Sequence, residues 1–149
     1  MPSLSLEIIL FSVLLYALVG LGFALKHRLN SYKMVPGFFL MGAFIYGDVL
    51  PLSVFWILVS IVCFVFRDLT LFYLILSLFW LVRSVGETLY WFLMQFSPRV
   101  DMTERVSLMP FYHIVKNDSV WIIYQVVCQC VTVVTLITSV KLFVIWLGR

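Results

Sequence analysis

Long apolar runs constrain this chain more than any other feature. Three runs each exceed the about 20 residues that an α-helix needs to cross the hydrocarbon core of a bilayer. A fourth run has no lysine or arginine over its whole length. The sequence therefore predicts an all-α integral membrane protein, a four-helix transmembrane bundle forming one domain over residues 1–149. The spans are expected at about 4–25, 34–66, 69–96 and 119–147.

Composition excludes an ordinary soluble domain. Hydrophobic residues make up 64% of the chain and charged residues 11%, against roughly 25% charged residues in soluble globular proteins. The net charge is +3, but the basic residues are scattered, as expected for signals that orient a membrane protein. We therefore expect the lipid bilayer to be a partner and expect no nucleic-acid surface.

The first apolar run is expected to remain as a membrane anchor. A cleaved signal peptide carries basic residues before a shorter apolar core. Here residues 1–7 contain no lysine or arginine, whereas Lys26 and Arg28 follow the run.

The second run, 34–66, is too long for one straight span and is expected to be kinked or broken near Gly47–Pro51. Pro51 removes a backbone donor and disfavours helix at Leu50. Two arrangements fit this run. It crosses once as a broken helix, or it crosses twice as short helices joined by a turn at Asp48, which gives five spans.

The distribution of basic residues favours four spans. With a single crossing, six basic residues lie on one side and two, Arg67 and Arg149, on the other; with two crossings the division is five against three. The positive-inside rule then predicts that both termini are non-cytoplasmic and that loops 26–33 and 97–118 are cytoplasmic. The six residues of the first arrangement are Lys26, Arg28, Lys33, Arg99, Arg105 and Lys116.

The third span contains the leading candidate for a functional centre. Arg83 and Glu87 lie four residues apart in its middle, on one helix face. Each charge at mid-membrane costs roughly 2.5–3.5 kcal/mol on insertion scales, so a neutralising partner or water is needed. The sequence predicts a buried Arg–Glu polar centre.

Counting residues from the expected span ends brings three further polar residues to a similar depth. Gln125 and Gln129 can meet Glu87, and Asp48 can meet Arg83 if 34–66 crosses once. Two alternatives stay open. The pair and the glutamines can serve only to lock helix packing, and Asp48 can simply cap a turn in the five-span arrangement.

The remaining chemistry-bearing residues are expected to be structural. Cys63, Cys128 and Cys130 fall inside apolar segments and are expected to behave as small hydrophobic residues. His27 and His113 have no second ligand at metal spacing. We therefore expect no metal, no cofactor and no catalytic residue.

A stripe at helical spacing in the fourth span is expected to be a packing face. Its members are Trp121, Gln125, Cys128 and Thr132.

The sequence leaves three functions open. The first is a transport-related protein or an accessory subunit of a membrane complex, with Arg83, Glu87 and Asp48 in its polar centre and with other membrane subunits or a second copy as partners. The second is a membrane enzyme acting on a lipid or isoprenoid, with Glu87 as acid or base and Arg83 holding a phosphate or carboxylate. The third is a structural scaffold or membrane-perturbing effector without a site. The sparse acidic residues disfavour the enzyme.

Overall fold

The computed structural model describes residues 2–27, 35–96 and 119–148, and these residues are helical apart from short connections. All four α-helices are long and apolar enough to span a membrane. The prediction of an all-helical protein with four membrane-length helices is confirmed. The helices are α1 (Pro2–Lys26), α2 (Tyr46–Phe66), α3 (Leu69–Met94) and α4 (Ser119–Leu147), with a 3₁₀ helix at Pro36–Met41.

The break in the second span lies earlier than predicted. Gly42 has φ 78° and Ile45 is extended, and α2 runs unbroken from Tyr46 through Pro51. The turn at Gly42 uses a positive φ, which glycine adopts without strain. Pro51, one turn inside α2, removes only one helical hydrogen bond. The prediction of a break at Gly47–Pro51 was therefore wrong in its position.

The chain divides into two compact units. The first comprises Met1–Ile75 with Ile145–Arg149, and the second comprises Leu76–Val144. In the first unit α1 packs along α2. In the second unit α3 and α4 are joined by side-chain contacts. That the whole chain forms one domain stays a prediction.

Residues 35–45 fold back on themselves next to α1 and α2, and we call them the re-entrant segment. The Val35 N–H donates to the Phe44 carbonyl over 3.0 Å and closes the two ends of the segment. At its turn the Gly42 N–H donates to the Phe39 carbonyl over 2.9 Å. Because its ends meet, the segment returns to the side from which it enters. The described residues therefore do not support the second short crossing that five spans require.

The re-entrant segment is hydrogen-bonded to side chains that belong to inner positions of α1 and α2. The Tyr16 hydroxyl donates to the Gly37 carbonyl over 2.6 Å, and Trp56 Nε1 donates to the Met41 carbonyl over 3.2 Å. Tyr16 and Trp56 each lie ten residues from the helix end nearer the segment, which corresponds to about 15 Å at 1.5 Å per residue. Irregular backbone at such depth requires partners within the protein, and these two side chains supply them.

At Gly20 the elements α1, α2 and the re-entrant segment lie close together. A Cβ atom at Gly20 would lie 2.7 Å from Ser53 Oγ, 3.2 Å from the Phe38 ring and 3.4 Å from Met41 Sδ. Ser53, Phe38 and Met41 are all buried. The absence of a side chain at position 20 therefore allows the three elements to pack, as small residues do in membrane helix pairs.

Asp68 organises the turn between α2 and α3. Arg67 ends α2 in the left-handed conformation, with φ 50° and ψ 35°. Asp68 Oδ1 then accepts hydrogen bonds from the backbone N–H groups of Thr70 (2.8 Å) and Leu71 (3.2 Å), as an N-cap does. Its second oxygen, Oδ2, accepts a hydrogen bond from Trp146 Nε1 over 3.1 Å. One carboxylate thus starts α3 and holds the end of α4 within the first unit.

Replacing Gly20 by alanine is predicted to destabilise the protein by about 1–3 kcal/mol, because the new methyl group overpacks a closed contact. Gly22 is the matched control, since no neighbouring atom lies within 4 Å of a Cβ placed there. Gly22→Ala should be neutral or slightly stabilising. Unfolding in detergent micelles, followed by tryptophan fluorescence, measures both. Equal stability of the two variants would contradict the packing described here.

Ser53→Ala supplies the companion test. None of the described residues offers the buried Ser53 Oγ a hydrogen bond, so removing this hydroxyl should leave stability unchanged or raise it by up to about 1 kcal/mol. Combined with Gly20→Ala, it should restore part of the stability lost, because Oγ is the atom nearest to the added methyl group.

Asp68→Ala is predicted to lower stability by about 1–2 kcal/mol, because it removes both an N-cap and the acceptor of the Trp146 hydrogen bond. Asp68→Asn keeps one carbonyl oxygen as a cap and should lose less. Unfolding midpoints in micelles, compared with that of Trp146→Phe, separate the two contributions. If Asp68→Asn and Asp68→Ala lose equal stability, the capping role is wrong.

Candidate functional site

Side-chain hydrogen bonds join α3 to α4 in the second unit. As the contacts move forward along α3 they move backward along α4, so the two helices are antiparallel. The serine–serine and serine–threonine pairs are separated by seven residues on both helices, which is the repeat of coiled-coil packing. The pairs are Ser77–Ser139 (2.9 Å), Ser84–Thr132 (2.9 Å) and Gln95–Gln125 (2.6 Å).

An aromatic cluster continues this line of contacts between α3 and α4, which we call the seam. Trp91, seven residues after Ser84, stacks on Tyr124 with ring centroids 5.0 Å apart and on Trp121 at 5.5 Å. Trp91 is buried. The prediction that Trp121, Gln125 and Thr132 belong to a packing face is confirmed, since all three contact α3.

Arg83 and Glu87 form an ion pair on the flank of this seam. Arg83 Nη2 lies 3.0 Å from Glu87 Oε1, and 26% and 16% of the two side chains are accessible. Ser84, one residue after Arg83, is buried against α4. Because successive helix residues are about 100° apart, Arg83 lies at the edge of the contact.

The ion pair exists, but the expectation of a buried Arg–Glu centre is not supported. Both side chains keep part of their surface accessible. The physical reason is the register of α3, because the positions that face α4 most directly are taken by Ser77, Ser84 and Trp91. The depth of the two charges along the helix can be read from their positions in the apolar run, whereas the packed face depends on the register with α4.

The other predicted polar residues lie elsewhere. Gln125 Oε1 accepts a hydrogen bond from Gln95. Gln129 is exposed and lies about 100° around α4 from Cys128. Asp48 belongs to the first unit, in the first turn of α2, where its Oδ2 accepts the Phe44 N–H over 3.4 Å. A carboxylate there also interacts favourably with the helix dipole. Asp48 therefore lies at the start of α2, and its predicted meeting with Arg83 stays a prediction.

Sequence reasoning missed two groups of polar contacts. The serine and threonine pairs between α3 and α4 were not predicted, although the seven-residue spacing of Ser77, Ser84 and Trp91 was a readable signal. The contacts of Tyr16 and Trp56 with the re-entrant segment had no comparable signal, because their acceptors are backbone carbonyls.

Several sequence expectations lie outside the described residues. These are most of loop 26–33, all of loop 97–118 and its residue His113. Among the described residues the three cysteines are free thiols. In the same part of the chain, no group of three or more His, Cys, Asp or Glu residues is placed to hold a metal ion.

The described residues define a small helical protein with four helices of membrane-spanning length. Comparisons of the chain with protein-family models, curated proteins and solved structures gave no match.

The serine pair between the helices gives a measurable coupling. In a double-mutant cycle of Ser77→Ala and Ser139→Ala, we expect an interaction energy near 0.6 kcal/mol, the average for hydrogen bonds between membrane helices. Ser12 is the control, since its hydroxyl bonds the Ile8 carbonyl of its own helix. A cycle of Ser12→Ala with Ser139→Ala should give no coupling. Unfolding in micelles supplies the four free energies of each cycle, and zero coupling for Ser77 and Ser139 would contradict the register.

Proposed function

We propose that this protein is an accessory subunit of a membrane complex, in which the flank of α3 that carries Arg83 and Glu87 docks a partner helix. One observation carries the proposal. An ion pair lies near the middle of a membrane-length helix, and its surface is only partly covered.

The depth of the pair explains why a partner is needed. Arg83 lies eleven residues from Met94 at the end of α3, about 16 Å along the helix axis. Charged side chains at such depth are costly in hydrocarbon and normally face protein or water. The ion pair lowers this cost, and a docked helix would lower it further by replacing lipid around the accessible part.

A glycine on the same flank supports helix docking. Gly86, three residues after Arg83, is exposed, and no atom lies within 4 Å of a Cβ placed there. Glycine in a helix costs about 0.5–1 kcal/mol relative to alanine. Small residues on membrane helices allow close approach of another backbone, so a docked helix gives this glycine a structural role.

The re-entrant segment favours an assembly role over transport. Selectivity filters use rings of backbone carbonyls to coordinate ions. In this segment the backbone carbonyls of Gly37 and Met41 accept hydrogen bonds from the side chains of Tyr16 and Trp56, respectively. The carbonyls of Phe38 and Phe39 accept hydrogen bonds from backbone N–H groups. The segment is therefore held as a structural element of the first unit.

The orientation of the subunit is part of the proposal. Four crossings place both termini on one side, and the six-to-two distribution of basic residues makes that side non-cytoplasmic. Loops 26–33 and 97–118 then face the cytoplasm.

Replacing both charges by amides tests the proposal. The double variant Arg83→Gln/Glu87→Gln keeps polar side chains of similar size, but weakens the contact with a partner. We expect the wild-type chain to migrate on native gels of solubilised membranes well above its own 17.3 kDa, and the double variant to shift toward the free chain. Lys141→Gln, at an exposed position near the end of α4, is the control and should not shift.

An ion-flux assay in vesicles separates this function from transport. Purified wild-type protein should give the same flux as protein-free vesicles. A flux that Glu87→Gln abolishes would favour transport, and unchanged migration of the double variant would remove the docking role.

A further inference from the structure

We infer that the partner docked on this flank is a second copy of the same chain, an inference that rests on the proposed function and names its partner. In this assembly α3 and α4 of each copy form a four-helix bundle around a two-fold axis along the bilayer normal. Two Arg83–Glu87 pairs meet at its centre in a ring of alternating charges.

Helix α3 carries two seams, of which α4 covers one. The covered seam contains Ser77, Ser84 and Trp91. The three residues that immediately precede these on α3 form a second stripe with the same seven-residue repeat. It lies about 100° around the helix from the covered seam. It consists of Leu76, Arg83 and Tyr90, and it also includes Phe79, Gly86 and Leu93, each three residues after one of these.

The second stripe is only partly covered. Tyr90 is 38% exposed and Leu93 is 63% exposed, and Gly86 is open. Two seams about a quarter-turn apart are the pattern of a helix at the corner of a four-helix bundle, where each helix packs against two neighbours. Within the second unit, α4 packs against one of these two seams.

Helix α4 offers a matching flank on the same side of the pair. Moving one residue earlier along its own seam gives Tyr124, Val131 and Thr138, with Val127 and Val134 between them. A two-fold axis along the membrane normal sets this flank of one copy against the second stripe of α3 in the other copy. The two helices would again be antiparallel, and the open Gly86 would face a surface rich in valine.

Charge complementarity selects a second copy as the occupant. A two-fold axis along the normal places identical residues of the two copies at equal depth. Arg83 and Glu87 differ in height by about 6 Å, one helical turn, which a long arginine side chain can span. The pair is therefore complementary to itself: Arg83 of each copy can contact Glu87 of the other, as an isologous interface requires. The four charges sum to zero without any other charged group.

Charge reversal in two chains tests the inference. Each chain carries a donor or acceptor dye, and energy transfer is measured in phosphatidylcholine vesicles as the protein is diluted into lipid. Arg83→Glu alone gives two acidic residues, and Glu87→Arg alone gives two basic residues. Each should self-associate at least about tenfold more weakly than wild type. Mixed together, the two variants should recover association, because the acidic chain complements the basic one.

Two variants in which the charges at positions 83 and 87 still sum to zero keep the test valid if the singly reversed chains fail to insert into the membrane. The double reversal Arg83→Glu/Glu87→Arg keeps the pair in the opposite order and should self-associate within about threefold of wild type. The double amide Arg83→Gln/Glu87→Gln should weaken self-association roughly eightfold, as expected for two hydrogen bonds between helices. Lys141→Gln should not change it.

Three results would overturn the inference: a wild-type chain that stays monomeric at every dilution, a dimer unaffected by the double amide, or reversed chains that insert and show no recovery on mixing. The proposed function has a separate readout. If purified protein is monomeric in vesicles while the double amide still shifts on native gels of cell membranes, a different protein occupies the flank and the accessory role stands. If neither measurement responds, both proposals fail.

Discussion

Four described helices of membrane-spanning length bring one constraint on which the rest of the structure depends: inside hydrocarbon, which offers no hydrogen bonds, polar groups must be satisfied within the protein. In the four long helices the backbone meets this need locally. Hydroxyl groups follow the same rule: those of Ser60, Thr135 and Thr138 each donate to the carbonyl four residues earlier. Where the backbone leaves the helix, other elements must supply the partners, and Tyr16 does so for the re-entrant segment.

The two units meet this constraint in different ways. The first unit surrounds an irregular segment with two helices and uses long aromatic donors to reach its carbonyls. The second unit has no described irregular segment, and its polar side chains pair across two antiparallel helices at a seven-residue repeat. The Ser77–Ser139 and Ser84–Thr132 pairs are short side chains that allow close backbone approach, while Trp91 fills the wider space beyond them. The larger Arg83 side chain lies at the edge of this close contact.

Much of the fold was predictable because bilayer thickness sets helix length, and apolar runs of that length can be read directly from the sequence. The break in the second span was misplaced because Pro51 has a strong local effect, whereas the effect of Gly42 depends on tertiary structure. Its positive φ is needed only because the segment folds back against α1 and α2. The Arg83–Glu87 contact was predictable from a four-residue spacing. Its exposure was not, since a rotation of α3 by one residue would exchange Arg83 with Ser84 at the contact with α4.

Gly20 and Gly86 differ in whether neighbouring atoms occupy the space that a side chain would fill. Gly20 has Ser53, Phe38 and Met41 within 3.4 Å of a Cβ placed there, so its lack of a side chain is already used. Gly86 has no atom within 4 Å, although it sits in an apolar helix where alanine would be more stable. A glycine gains a packing role only when another backbone approaches it. Gly86 lies beside an ion pair whose two side chains are 26% and 16% accessible, so it is the position at which the proposed partner helix would come close.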